Sequence, residues 1–229
     1  MKPSQVDDAF EQMKSKIILG EWESNKVLSS NQIAPELNMS RTPVEKALLR
    51  LETCELVDSI DGRYVVHPQN LEDIVELYQV REALETQAIR IAFQNGLKDE
   101  EIRALRDTVE KHKKAVGSED DESFFGTGME LHRQILLMSG NKRFLKIHEQ
   151  IQMQIERAQW LNVLMPDKDS SVEEHNSLIA ALETRNLAAA ISALQEHSEK
   201  TISRYRKILT SERFCRAILE VSNIIKQDT

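Results

Sequence analysis

Three histidines stand on apolar helical stripes in the C-terminal two thirds of the chain. His132 shares its stripe with Phe125, Met129, Ile135 and Leu136, His175 with Leu178, Ile179 and Leu182, and His197 with Ala190, Leu194 and Thr201. One histidine so placed is most simply a core residue bonded to a neighbour. Three of them, pointing inward from three helices of one domain, are harder to explain as core residues alone, and imidazole suits Zn, Ni and similar metals. Arg81 poses a related problem. It lies on the face of Leu77, Tyr78, Leu84 and Ala88, where a guanidinium needs an anionic partner. Glu85, one turn on, is the structural candidate.

A second chemistry lies near the N-terminus. Residues 40–51 read as a short helix with Val44, Ala47, Leu48 and Leu51 on its packed face. Ser40 can cap it, and Pro43 fits an early helical position, where a missing N–H costs nothing. Arg41, Thr42, Glu45, Lys46 and Arg50 point the other way. A packed back with a polar, partly basic front is what a helix-turn-helix lays in the major groove. Charge argues against it. The chain carries −8 overall, and residues 1–69 hold eight Lys+Arg against eleven Asp+Glu, a net of −3. Any DNA contact must therefore come from local placement of charge.

Both features need elements to position them. With seven glycines and five prolines in 229 residues, long helices with few turns are expected. Before the packed helix come one over Val6–Leu19 and one from Ser29 or Ser30 to about Leu37. After it, Leu56–Ile60 and Arg63–Val66 read as strands around a tight Asp61-Gly62 turn. That is a winged helix-turn-helix over residues 1–68, with Arg63 at the wing and His67-Pro68 at the boundary. Residues 69–229 read as an all-helical bundle. Its stripes run from Leu71 to about Asn95-Gly96, from Asp99 or Glu100 to Val116, and from Glu122 to Met138. Others run on to about Val163, from Ser170 or Ser171 to Thr184, and through Leu209. A last helix after Ser211 carries Phe214, Ile218, Val221 and Ile225 on one side. Cys54 and Cys215 lie far apart with no metal-ligand spacing and fit a reducing cytoplasm. No apolar run approaches 18 residues and no signal peptide is evident, so a cytoplasmic location without a membrane is expected.

Residues 6–66 resemble the DNA-binding domain of the GntR family of bacterial transcription regulators. The residues that carry this are Ile17-Ile18-Leu19-Gly20, Ile33-Ala34, Ser40-Arg41-Thr42-Pro43-Val44, Ala47-Leu48-Leu49-Arg50-Leu51-Glu52 and Leu56-Val57. The remainder resembles the effector domain of the FCD subgroup, through Val80-Arg81-Glu82-Ala83-Leu84-Glu85, Leu131-His132, Ser139-Gly140-Asn141, Glu174-His175 and His197. The resemblance implies operator contact through the position of Arg41, neighbouring hydroxyls and the wing tip. It also implies a forked grip by Arg81 on an effector carboxylate, for which Arg157 is a second candidate, and a metal site of His132, His175 and His197. The chain departs from the pattern at four places. Ser24-Asn25 replaces Pro-Gly, Glu55 replaces Gly, Glu45 replaces a DNA-contacting Arg, and Gly128 replaces an Asp that completes the metal site one turn before His132.

These observations and the resemblance imply a homodimeric, ligand-responsive repressor of a palindromic operator, with a small organic acid as effector. The acid is bound either with one divalent ion, Zn or Ni, as cofactor or directly, as in members of the family that lack the metal. The alternative is a dimeric binding protein that has lost specific DNA recognition, suggested by Glu45 and the acidic first domain. A metal-dependent enzyme is disfavoured, because no nucleophile, cofactor loop or paired acid and base accompanies the histidines.

Overall fold

A computed structural model describes residues 4–116, 121–160 and 169–211. Among these the elements follow in the order α1 (Gln5–Ile18), β1 (Val27–Leu28), α2 (Ser30–Glu36), α3 (Arg41–Thr53), β2 (Val57–Ile60), β3 (Arg63–Val66), α4 (Leu71–Gln94), α5 (Asp99–Val116), α6 (Asp121–Met138), α7 (Lys142–Trp160), α8 (Asp169–Glu183) and α9 (Leu187–Leu209). The architecture is a winged helix-turn-helix followed by helices alone. The expected helix after Ser211 and the end of the stripe near Val163 lie outside the described residues. So does Cys215.

The chain divides into two compact units. One holds the described residues up to Asn70 together with Glu149–Trp160; the other holds Leu71–His148 and the described residues from 169 on. In the first, α1 supplies Phe10, Met13 and Ile17 to a core that α3 completes with Val44, Ala47, Leu48 and Leu51. These are the apolar positions of the two sequence stripes. Ser40 takes the N-cap position of α3 in extended conformation, without a hydrogen bond from its side chain. Pro43 is the third helical residue, where no intrahelical donor is lost.

The wing turns at Asp61 and Gly62, whose φ angles of 50° and 75° suit a two-residue hairpin turn. The sheet has three strands rather than two. β1 pairs antiparallel with β3 through Val27↔Val65 and Leu28↔Tyr64, giving the order β1-β3-β2. Two residues are too short to show a period in sequence, so β1 was not expected. α3 ends in a paired C-terminal motif, Glu55 N–H to Glu52 O at 3.0 Å and Leu56 N–H to Leu51 O at 3.0 Å. Glu55 sits there at φ 56°, the left-handed conformation that glycine adopts freely.

In the second unit, α5 packs on α6 and α8, α4 on α6 and α9, and α8 on α9. Ile135, Leu178, Ile179, Leu182 and Leu194 are all fully or almost fully buried in its core. The histidines on those faces are therefore carried inward with them. Among the described residues no helix is long and apolar enough to cross a membrane.

Candidate functional site

In the first unit, α3 presents Arg41, Thr42, Glu45, Lys46 and Arg50 outward, and Arg63 is exposed on the wing. Their partners differ. Arg41 Nη2 donates to Glu45 Oε1 at 3.1 Å, and Ser30 Oγ donates to the same oxygen at 3.1 Å. Arg50 turns back to α1, donating to Asp7 Oδ1 at 2.7 Å while its guanidinium lies 4.0 Å from the Phe10 ring centre. Hydrogen bonds from Ser4 and Arg50 hold the Asp7 carboxyl below its ordinary range. A cavity of about 550 Å³ runs between α3 and the wing, bordered by Ser30, Glu45, Leu49, Arg63 and Tyr64. Arg157, a candidate effector ligand, belongs to this unit as well. It donates to the His67 carbonyl at 2.6 Å and to Ser24 Oγ at 3.0 Å.

The second unit brings His132, His175 and His197 together. All three are buried, and one ligand atom from each lies within 4.8 Å of the others. Ring centres are 5.4 Å apart for His132 and His175, 5.2 Å for His132 and His197, and 4.6 Å for His175 and His197. Two imidazoles on one tetrahedral ion, with metal–nitrogen bonds of about 2.0–2.1 Å, place their centres roughly 5 Å apart. The spacing fits a shared ion.

The hydrogen-bond partners fix which nitrogen faces inward. His197 Nδ1 lies 2.7 Å from Glu174 Oε2. His132 Nδ1 lies 3.0 Å from Glu85 Oε1 and 3.1 Å from Oε2, with hydrogen-bond geometry toward Oε2. A carboxylate accepts, so each Nδ1 carries the proton and each Nε2 keeps its lone pair. Neither nitrogen of His175 has a partner among the described residues. Burial holds all three rings well below the ordinary histidine range, His197 at about 4. They are neutral near pH 7, as metal ligation requires.

Each supporting carboxylate is differently held. Burial pushes the Glu174 carboxyl up, but hydrogen bonds from His197 and Arg204 outweigh it and leave it below its ordinary range. Arg204 grips Glu174 with both Nη atoms, at 2.6 and 3.0 Å. A cavity of about 360 Å³ between α8 and α9 reaches Glu174, His197 and Arg204. Glu85 is raised by burial against the opposing pull of Arg81. Arg81 is 2% exposed and stacks 4.3 Å from the Tyr78 ring centre. Its Nε is 3.7 Å from Glu85 Oε1, too far for a hydrogen bond, and both atoms lack a hydrogen-bond partner. The Arg81–Glu85 pairing expected from sequence thus exists as an ion pair with one unspent donor, Arg81 Nε, and one unspent acceptor, Glu85 Oε1. His148, also buried, has an unpartnered Nε2 and interacts electrostatically with Glu85 and Arg81.

A further buried histidine beside the cluster was not anticipated. His112 on α5 is 3% exposed, and its ring centre lies 5.3 Å from that of His175. Its place on a helical stripe with Leu105, Thr108 and Val109 is the same signal that marked the other three histidines.

Two family models match the chain. The one described as bacterial regulatory proteins, gntR family, matches residues 5–65, and the FCD domain matches residues 76–200. The Nta operon transcriptional regulator of Aminobacter aminovorans is 27% identical over 184 residues, 78% of this chain and 86% of its own length. The gluconate operon transcriptional repressor of Bacillus subtilis (strain 168) is 23% identical over 222 residues, 93% of this chain and 89% of its own. The structure of E. coli McbR/YncC superposes with a TM-score of 0.72 at 20% identity, over 90% of this chain and 98% of that one. At that identity the likeness is one of fold.

Proposed function

Because the chain belongs to the GntR family of bacterial transcription regulators, with an FCD domain behind its winged helix-turn-helix, we propose that it is a repressor released by a small organic acid. The family is one of DNA-binding regulators rather than enzymes, and relatives include named repressors. The chain works as a homodimer on a palindromic operator, with half-site centres about one helical turn apart. α3 and the wing meet the DNA through Arg41, Thr42, Glu45, Lys46, Arg50 and Arg63. The buried site of the second unit binds the effector carboxylate through Arg81 and one divalent ion, Zn or Ni, through His132, His175 and His197.

The observation that carries it is the set of buried polar atoms left without partners on either side of His132: Arg81 Nε and Glu85 Oε1 on one, both nitrogens of His175 on the other. A buried guanidinium short of hydrogen bonds is costly unless a ligand completes it. The ion would supply a Lewis-acid anchor for the effector's carboxylate, while Glu85 and Glu174 orient the imidazoles that hold it. A carboxylate between the ion and the Arg81 fork satisfies both.

The second reading, a dimeric binding protein without specific DNA recognition, draws on Glu45, which ties up Arg41 and Ser30. A salt-dependent shift assay on the chain's own upstream DNA separates the two, run with and without a panel of small carboxylates. Sequence-specific shifts that a carboxylate reverses support the repressor. Binding of carboxylate with no preference among DNA sequences supports the alternative.

A further inference from the structure

Gly128 and His112 share one place in the fold. Gly128 stands on α6 one turn before His132, and a Cβ built on it would meet His112 Cε1 at 3.2 Å, Nδ1 at 3.7 Å and Nε2 at 3.9 Å. The imidazole lies where a side chain at 128 would begin. It stacks on Phe124 with ring centres 4.5 Å apart. Its ring centre lies 5.3 Å from that of His175, while its nitrogens stand outside the group of ligand atoms that fall within 4.8 Å of one another, so ligation requires the ring to turn inward.

Its partners fix its tautomer. His112 Nδ1 lies 3.1 Å from the Phe124 carbonyl and 3.0 Å from Thr127 Oγ1, whose own hydrogen goes to that same carbonyl. A carbonyl can only accept, so Nδ1 carries the proton. Nε2 is then bare and accepts from Ser171 Oγ at 3.2 Å. His112, His132 and His197 are therefore held in the same tautomer, each with Nδ1 spent on an oxygen and the lone pair on Nε2, which in His112 is taken by Ser171. Ser171 sits one turn before His175 on α8, so the hydroxyl that occupies His112 Nε2 borders the cluster.

Three imidazoles leave a tetrahedral ion one protein ligand short. Resting on the reading that the histidines hold such an ion, we infer that His112 is the fourth ligand, its Nε2 exchanging Ser171 Oγ for the metal. Gly128 is the position that admits its ring. The site is then an all-imidazole, neutral donor set, so the bound ion keeps its full positive charge toward an anionic effector, whose carboxylate joins as a fifth ligand.

The test is titration of the metal-stripped full chain with Co(II), followed by its visible absorption, and with Zn(II) in competition. His112→Gln should weaken Co(II) binding by about tenfold to a hundredfold and change the visible bands, because an oxygen replaces a nitrogen. Ser171→Ala should tighten binding, since it removes the bond that competes for Nε2. A packing role predicts instead that both variants melt at lower temperature with the parent's spectrum and affinity, which would overturn the inference. If His112→Gln does not fold, Ser171→Ala decides, and unchanged or weaker affinity refutes the ligand role. His132→Gln separates the two levels. If it weakens binding while His112→Gln does not, the three-histidine site stands and the fourth ligand falls. A parent chain that takes up neither ion overturns both.

Discussion

Arg41 and Glu45 lie one turn apart on the exposed face of α3, joined at 3.1 Å, with 62% and 49% of their side-chain surfaces open to solvent. Such a pair contributes only about 0.3–0.5 kcal/mol. It is therefore a latch that a phosphate or a base edge can open at little cost. Until it opens, the guanidinium most suited to read guanine is folded onto its own helix.

Glu45→Arg should tighten DNA binding and steepen its salt dependence by roughly one unit of slope, because a repelled phosphate becomes a neutralised one. Arg41→Ala should weaken binding to the cognate site by about 1–3 kcal/mol if it reads a base edge. Fluorescence anisotropy across a salt series measures both. If neither variant changes affinity for any DNA, the winged unit is no DNA reader in this chain.

For Arg81→Met the expectation is loss of effector response with the fold intact. The apolar stem survives against Tyr78 while the fork disappears. Charge-assisted hydrogen bonds of this kind contribute about 1.5–3 kcal/mol, a tenfold to hundredfold loss in effector affinity by calorimetry. Unfolding of the variant, with no carboxylate binding to the parent, would make the Arg81–Glu85 pair structural.

Much of this was legible because burial follows periodicity. His132, His175 and His197 sit at core positions of their helices, so their stripes carried them to one point. What sequence could not supply was the third dimension. Arg50 reads as an outward base, yet its nearest acid is Asp7, 43 residues earlier. Arg157 on α7 reads as a second grip for the effector, but its fork closes on the His67 carbonyl and Ser24. Gly128 reads as a missing ligand, whereas in the fold its bare backbone is the seat of a ring from another helix.

Glu55→Gly should raise stability. Glu55 adopts φ 56° at the end of α3, and a side chain in that conformation is disfavoured by about 1–2 kcal/mol. The substitution also removes the bond that Glu55 Oε2 accepts from Gln154 at 3.2 Å, so a net gain of about 0.5–1 kcal/mol is expected. Urea denaturation reads it directly. A loss of stability would mean the Gln154 bond outweighs the backbone strain.

Acidification should destabilise the metal-free chain in a defined window. His112 and His197 fall from the ordinary 6.5 to about 4 on folding, chiefly through burial. Between those values the unfolded chain binds more protons, so stability is complete above pH 6.5 and is lost as pH falls toward 4. Glu85 works the other way, since burial raises it and its contribution fades as pH rises above 4.5. The histidines act together, and His132 and His175 shift in the same direction. Melting curves in chelator from pH 7 to pH 4 should therefore slope steeply downward. His197→Gln should flatten the slope; a slope unchanged by it would mean that ring does not titrate on unfolding.

Gly128→Asp would put a carboxylate one turn before His132, but its Cβ would press within 3.2 Å of His112 Cε1. Crowding of that kind in a packed core costs about 1–3 kcal/mol, so the single variant should melt lower than the parent. Pairing it with His112→Ala clears the space, and the double variant should recover stability that the two single changes do not predict by addition. It should also regain metal affinity over His112→Ala alone, now with an oxygen donor and one more negative charge at the site. That charge should weaken the response to a carboxylate effector, because the ion is partly neutralised before the ligand arrives. Melting curves and Co(II) titration on the four chains measure each part. Simple additivity of the two stability losses would show that residues 112 and 128 do not compete for one space.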